Sequence, residues 1–98
     1  MRQLRMAVIG VGSLGQHHAG KLANFSDVDL VGVVDPNEKF GREVANRVST
    51  RWFASAADLP NNLDGVVIAT PTVYHLEAAR SFLEAGVATF VEKPLATN

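Results

Sequence analysis

Residues 7 to 16 read AVIGVGSLGQ, an apolar run that breaks into three glycines, Gly10, Gly12 and Gly15, within six positions. A continuous apolar run is what a strand covered on both faces requires, and a glycine directly after it permits a turn that a Cβ would strain. The G-x-G-x-x-G spacing leaves two readings open. In one, the glycines only join a strand flexibly to whatever follows. In the other, they build a turn whose backbone approaches a phosphate. Gly10 would turn the chain off the strand, Gly12 would keep a Cβ out of the phosphate's path, and Gly15 would let the next helix pack closely on the sheet. Spacing alone does not separate the two, so the surrounding pattern must.

That pattern alternates. DLVGVVD and DGVVIAT are apolar runs like RMAVIG, and three such runs imply a parallel sheet core. Between the first two, Leu14, His18, Leu22 and Phe25 fall on one face of a helical pattern, with His17, Lys21 and Asn24 on another. A second helix follows Asp35, with Phe40, Val44 and Val48 inward and Lys39, Arg42, Glu43, Asn46 and Arg47 outward. RWFAS reads as a short strand, with Trp52 and Phe53 as packing residues, AADLP as one helical turn, and Asn61-Asn62 as the loop into the fourth strand. The third helix is expected from Thr72 to Ala85, with Thr72 as N-cap, Leu76, Ala79 and Leu83 on its buried face, and Gly86 ending it. VATFVE is the fifth strand. Right-handed crossovers turn this order into an α/β, doubly wound parallel sheet of five strands in the order 3-2-1-4-5.

Composition narrows the function classes. With 98 residues there is room for one domain, since domains typically run to roughly 100–150 residues. A 47% hydrophobic and 19% charged chain with a net charge of −1 is expected to be globular, and its charge offers no case for nucleic acid or a membrane surface. The absence of cysteine removes disulfides and thiolate chemistry, and a cytoplasmic location is expected. The start, MRQLRMAVIG, imitates a signal peptide, but its apolar run is short, broken by glycine and followed by QHH. No histidine pair has metal-ligand spacing with a carboxylate on the same face, so no metal is expected. The chain stops just past the fifth strand, without the sixth that a dinucleotide-binding sheet usually carries. It reads as the front of something longer.

Asp35 lies about twenty residues after Gly15, at the end of the second strand. A carboxylate there can accept hydrogen bonds from both ribose hydroxyls of an adenosine and repel a 2′-phosphate, which favours NAD over NADP. No arginine or serine immediately follows to reverse that preference. The alternative is that Asp35 merely caps the next helix, with Pro36 at its first position. Ser13 and Leu14, between the second and third glycines, complete the candidate cofactor-binding turn.

The combination of GVGSLGQHH, Asp35, ATPTVYHLEAA and EAGVATFVEKPLA resembles the N-terminal domain of the glucose–fructose oxidoreductase / inositol dehydrogenase / rhizopine-catabolism family of NAD(P)-dependent oxidoreductases. The likeness spans nearly all of the chain. The EKP after the fifth strand is its most distinctive element. It implies a Rossmann dinucleotide-binding domain over residues 1–98, followed in the full-length protein by a C-terminal domain that supplies most of the substrate pocket. It also implies Gly10, Gly12 and Gly15 at the pyrophosphate, Asp35 at the ribose, and Thr70 and Pro71 along the nicotinamide half. Lys93 would reach the reacting hydroxyl, with Glu92 pairing with it or orienting its loop, and Pro94 fixing the turn. Without the resemblance, Lys93 is only a surface lysine at a strand–loop junction.

Oxidising an alcohol removes a proton from oxygen as hydride leaves carbon, so a lysine nearby either stabilises alkoxide charge as an ammonium or, with a depressed pKa, takes the proton as a neutral amine. His75, in the first turn of the third helix, either contacts the ligand or packs. His18 reads as a core histidine. The activity implied is hydride transfer between NAD and a polyol, sugar or sugar nucleotide, by a full-length protein expected to be a homo-oligomer. NAD-dependent glycoside hydrolysis and a non-catalytic cofactor-binding module are the alternatives.

Overall fold

The computed structural model describes residues 3–10, 13–69 and 73–91. Five strands, β1 (Leu4–Ile9), β2 (Val28–Val34), β3 (Trp52–Phe53), β4 (Gly65–Ile68) and β5 (Ala88–Val91), pair in the order β3-β2-β1-β4-β5. Every pairing is parallel. Three helices, α1 (Ser13–Ala23), α2 (Glu38–Arg47) and α3 (Val73–Glu84), and one 3-10 turn at Ala56–Asp58 supply the crossovers.

The central strand explains its own composition. Val8 faces one layer, with Leu30 and Val33 of β2, Ala19 of α1, and Val44 and Ala45 of α2. Ala7 and Ile9 face the other, with Val34, Val66, Ile68, Leu59, Leu63 and Val87, against which Phe82 of α3 packs. A strand buried on both sides has no use for alternation, hence the unbroken apolar run. In β2 the register slips opposite Met6/Ala7, so that Met6 pairs with Leu30 and Ala7 with Gly32. This bulge at Val31 is why Leu30 and Val33, three apart, share a face.

Phe40, Val44 and Val48 do line the inner side of α2, and Ser55 caps the 3-10 turn by accepting from the Ala57 N–H at 3.2 Å. Three expectations need correction. Helix α1 ends at Ala23, two residues short of Phe25, which is left 56% exposed. Leu83 of α3 is 61% exposed, because Phe82 is the residue that turns towards the sheet. The third strand is only Trp52–Phe53, since β2 offers it just the two rungs at Val33 and Val34.

Gly86 ends α3 as its position suggests. With φ at 81°, it directs its N–H to the Leu83 carbonyl at 3.1 Å, while the Val87 N–H reaches the Phe82 carbonyl at 2.8 Å. These two bonds form a Schellman closure, which needs a left-handed residue at this point. Space around Gly86 is open, so a Cβ there would meet strain and no clash. Gly86→Ala is therefore expected to lower the unfolding free energy by about 1–2 kcal/mol, read from urea denaturation midpoints at unchanged slope.

Candidate functional site

The crossovers from β1 to β2 and from β3 to β4 leave in opposite directions, so the carboxyl ends of β1 and β4 border the crevice where sheets of this topology bind ligands. The backbone ties the three strand ends together. Gly10, directly after β1, donates its N–H to the Val34 carbonyl at 2.7 Å, and Ala69 after β4 donates to the Ile9 carbonyl at 2.9 Å.

Gly10 adopts a φ of 86°, which a side chain resists. Gly15 is buried on α1, where a Cβ would overlap the Gly10 carbonyl oxygen and come within 3.4 Å of the Ala69 Cβ. The first turn of α1 thus lies directly on the strand end. Its positive dipole end, with the N–H groups that have no partner inside a helix, is held at the crevice. Ser13 and Leu14 belong to that turn.

Asp35 follows β2 and is half-buried. Its N–H donates to the Phe53 carbonyl at 3.2 Å, its carbonyl accepts from the Trp52 indole N–H at 2.9 Å, and its carboxylate Oδ1 accepts from the Asn37 N–H at 2.8 Å. The last bond is an Asx turn. Asn37, whose Oδ1 accepts from the Phe40 N–H at 3.0 Å, is the N-cap of α2. The capping alternative for Asp35 is thereby corrected: Pro36 precedes the cap rather than opening the helix, and Asp35 orders the turn from two residues upstream.

A groove of about 920 Å³ opens beside this turn, between the 3-10 segment and α3. Val34, Pro36, Ala54, Leu59, Leu63 and Phe82 are among its walls, so it is largely apolar. No reading of the motifs pointed to it. Its signal lay in the crossover from Phe53 to Gly65, which holds only one 3-10 turn and leaves part of that face of the sheet without a helix.

Gly10, Gly15 and Asp35 are thus brought to neighbouring strand ends. His18 is half-buried on α1, with its ring centroid 6.4 Å from that of His17. His75 falls in the first turn of α3. Gly12, Thr70, Pro71, Glu92 and Lys93 lie outside the described residues. Among the described residues no cluster of three histidine, cysteine or acidic side chains could hold a metal, and no helix is long and apolar enough to cross a membrane.

Comparison with known proteins decides the lineage. A family model described as an oxidoreductase family with an NAD-binding Rossmann fold matches residues 4–98. The chain belongs to this family. It is the glucose–fructose oxidoreductase / inositol dehydrogenase group that the motifs resemble. Among curated relatives, UDP-N-acetylglucosamine 3-dehydrogenase of Acidithiobacillus ferrooxidans is 43% identical over 94 residues, covering 96% of this chain and 29% of that protein. Inositol 2-dehydrogenase 3 of Saccharopolyspora erythraea is 35% identical over 98 residues, covering 97% of this chain and 29% of that protein. Among solved structures, GenD2 from gentamicin A biosynthesis, in complex with NAD, superposes with a TM-score of 0.86 at 35% identity, over 98% of this chain and 28% of that one. The chain therefore spans under a third of the length of these relatives.

The Gly15 contact gives this geometry a direct check. A carbonyl oxygen in the main chain has no rotamer by which to retreat, so Gly15→Ala must push α1 off β1. A loss of about 1–3 kcal/mol of stability is expected, the range for overpacking, with weakened NAD binding, measured by denaturation and calorimetric titration.

Proposed function

We propose that this chain is the cofactor-binding part of a dehydrogenase that oxidises a hydroxyl group of a polyol, sugar or sugar nucleotide. The observation that carries the reading is Asp35, held by hydrogen bonds on its N–H, carbonyl and carboxylate at the end of β2, beside an apolar groove and next to the glycine turn. The parts suit an adenosine dinucleotide. A diol needs a fixed acceptor, a flat base needs an apolar wall, and a pyrophosphate needs bare backbone at a helix start.

In this reading Gly10, Gly12 and Gly15, with Ser13 and Leu14, receive the pyrophosphate, and Asp35 receives the ribose hydroxyls. Thr70, Pro71 and His75 flank the nicotinamide half. Lys93 is the catalytic residue: as a neutral amine it takes the hydroxyl proton, or as an ammonium it stabilises the alkoxide, with Glu92 beside it. When bound, NAD supplies the hydride acceptor.

Residues 1–98 then form the dinucleotide-binding domain, and a C-terminal domain supplies most of the substrate pocket. Supporting this, the chain matches only 29% of the length of relatives named for inositol and UDP-N-acetylglucosamine oxidation. A cytoplasmic homo-oligomer completes the proposal, on the family resemblance and the lack of cysteine.

Two experiments on the full-length protein test it. NAD should bind more tightly than NADP in calorimetry, and Asp35→Ser should narrow that preference by about 1–3 kcal/mol, the scale of a lost charge-assisted hydrogen bond. A native preference for NADP would sink the ribose assignment. Lys93→Ala should lower turnover by roughly 10²–10⁴ with NAD affinity and melting temperature nearly unchanged. Near-normal turnover, or unfolding, would remove Lys93 from the chemistry.

A further inference from the structure

β3 is two residues long, yet it grips Asp35 from two directions. The Phe53 carbonyl accepts from the Asp35 N–H as the last rung of the parallel ladder. Strand β3 ends there, and the Asp35 carbonyl takes a hydrogen from the Trp52 side chain, Nε1 to oxygen at 2.9 Å. The next residue is Pro36, which has no N–H of its own to anchor the chain. The indole therefore fixes the peptide on which the Asp35 side chain depends for its direction.

The indole is itself held. Beside its Cδ1 and Nε1, Gly41 of α2 leaves no room for a side chain: a Cβ would overlap indole Cδ1 and lie 2.5 Å from Nε1. Above it, the Arg42 guanidinium lies 4.9 Å from the ring centroid, braced by the Glu38 carboxylate at 2.8 Å. Tryptophan is the one aromatic side chain that fills a hydrophobic slot and presents an N–H donor with no competing acceptor; phenylalanine would pack and donate nothing.

We infer that Trp52 is a positioning residue for Asp35, orienting its carboxylate for the cofactor ribose and so setting part of the affinity for NAD. The inference rests on the ribose reading of Asp35 proposed above. It assigns Trp52 a role in recognition beyond the packing its place on an edge strand suggests.

The test is a double-substitution cycle in the full-length protein, with NAD titrated calorimetrically against the native form, Trp52→Phe, Asp35→Ser and the pair. Trp52→Phe should weaken NAD about two- to tenfold, the value of one net hydrogen bond, with little change in melting temperature. In the Asp35→Ser background the same change should cost almost nothing, because the carboxylate it orients is gone. Gly41→Ala probes the contact from the other side, its Cβ displacing an indole that keeps its N–H, and should show the same dependence on Asp35. It also serves if Trp52→Phe fails to fold. Unchanged NAD affinity in a folded Trp52→Phe protein, or losses that simply add to that of Asp35→Ser, would overturn the positioning role while leaving Asp35 at the ribose. Unchanged affinity in Asp35→Ser alone would remove the ribose reading and the positioning role with it.

Discussion

Helix α1 can lie on the end of β1 only because two positions lack a side chain. At Gly10 the backbone takes a φ of 86° to leave the strand, and at Gly15 the helix comes down on the Gly10 carbonyl with no space for a Cβ between them. The same Gly10 donates its N–H to Val34, so the turn, the helix start and the end of β2 share one rigid junction. Moving α1 outward by the width of a methyl group would carry the helix dipole away from the crevice. It would also loosen Ala19, which α1 contributes to the core with Val8 and Val33. Packing and ligand geometry depend on the same contact.

The second half of the site is built differently. Around Asp35 the order comes from hydrogen bonds between short elements: an Asx turn to Asn37, a separate cap from Asn37 to Phe40, one ladder rung to Phe53 and the indole bond from Trp52. A brief β3 and a crossover with a single 3-10 turn look like economies of chain. Their effect is to let Trp52 reach back to Asp35 and to leave the apolar groove open between Leu59, Leu63 and Phe82. A full helix in that crossover would have filled the space.

What could be read from the residues follows from which interactions are local. Continuous apolar runs announce strands covered on both faces, and the glycines at 10 and 15 announce a turn that must lack side chains; both are properties of a few consecutive residues. Gly86 was legible for the same reason, since a left-handed closure after a helix requires little beyond its own turn. Phases and ends were less secure. Phe25 and Leu83 match helical spacing, but spacing does not say where a helix frays or how it rolls on its sheet, and both residues point outward. Asp35 illustrates the boundary: its distance from Gly15 gave it a role, whereas its distinction from the true cap, Asn37, rests on hydrogen bonds two residues apart that either acid or amide could make.

The sequence by itself determined the alternation of strands and helices, the all-parallel order 3-2-1-4-5, the glycine turn and the placing of Asp35 after the second strand, because periodicity and chain handedness act over short stretches and admit few topologies. Only the tertiary structure decided that Trp52, Gly41 and Asp35 form one cluster, that a bulge at Val31 turns Leu30 and Val33 to the same face, and that a groove opens beside the turn. These depend on which side chains meet after distant segments have packed. Such contacts are set by the fit of three-dimensional surfaces, and no pattern along the chain encodes them in advance.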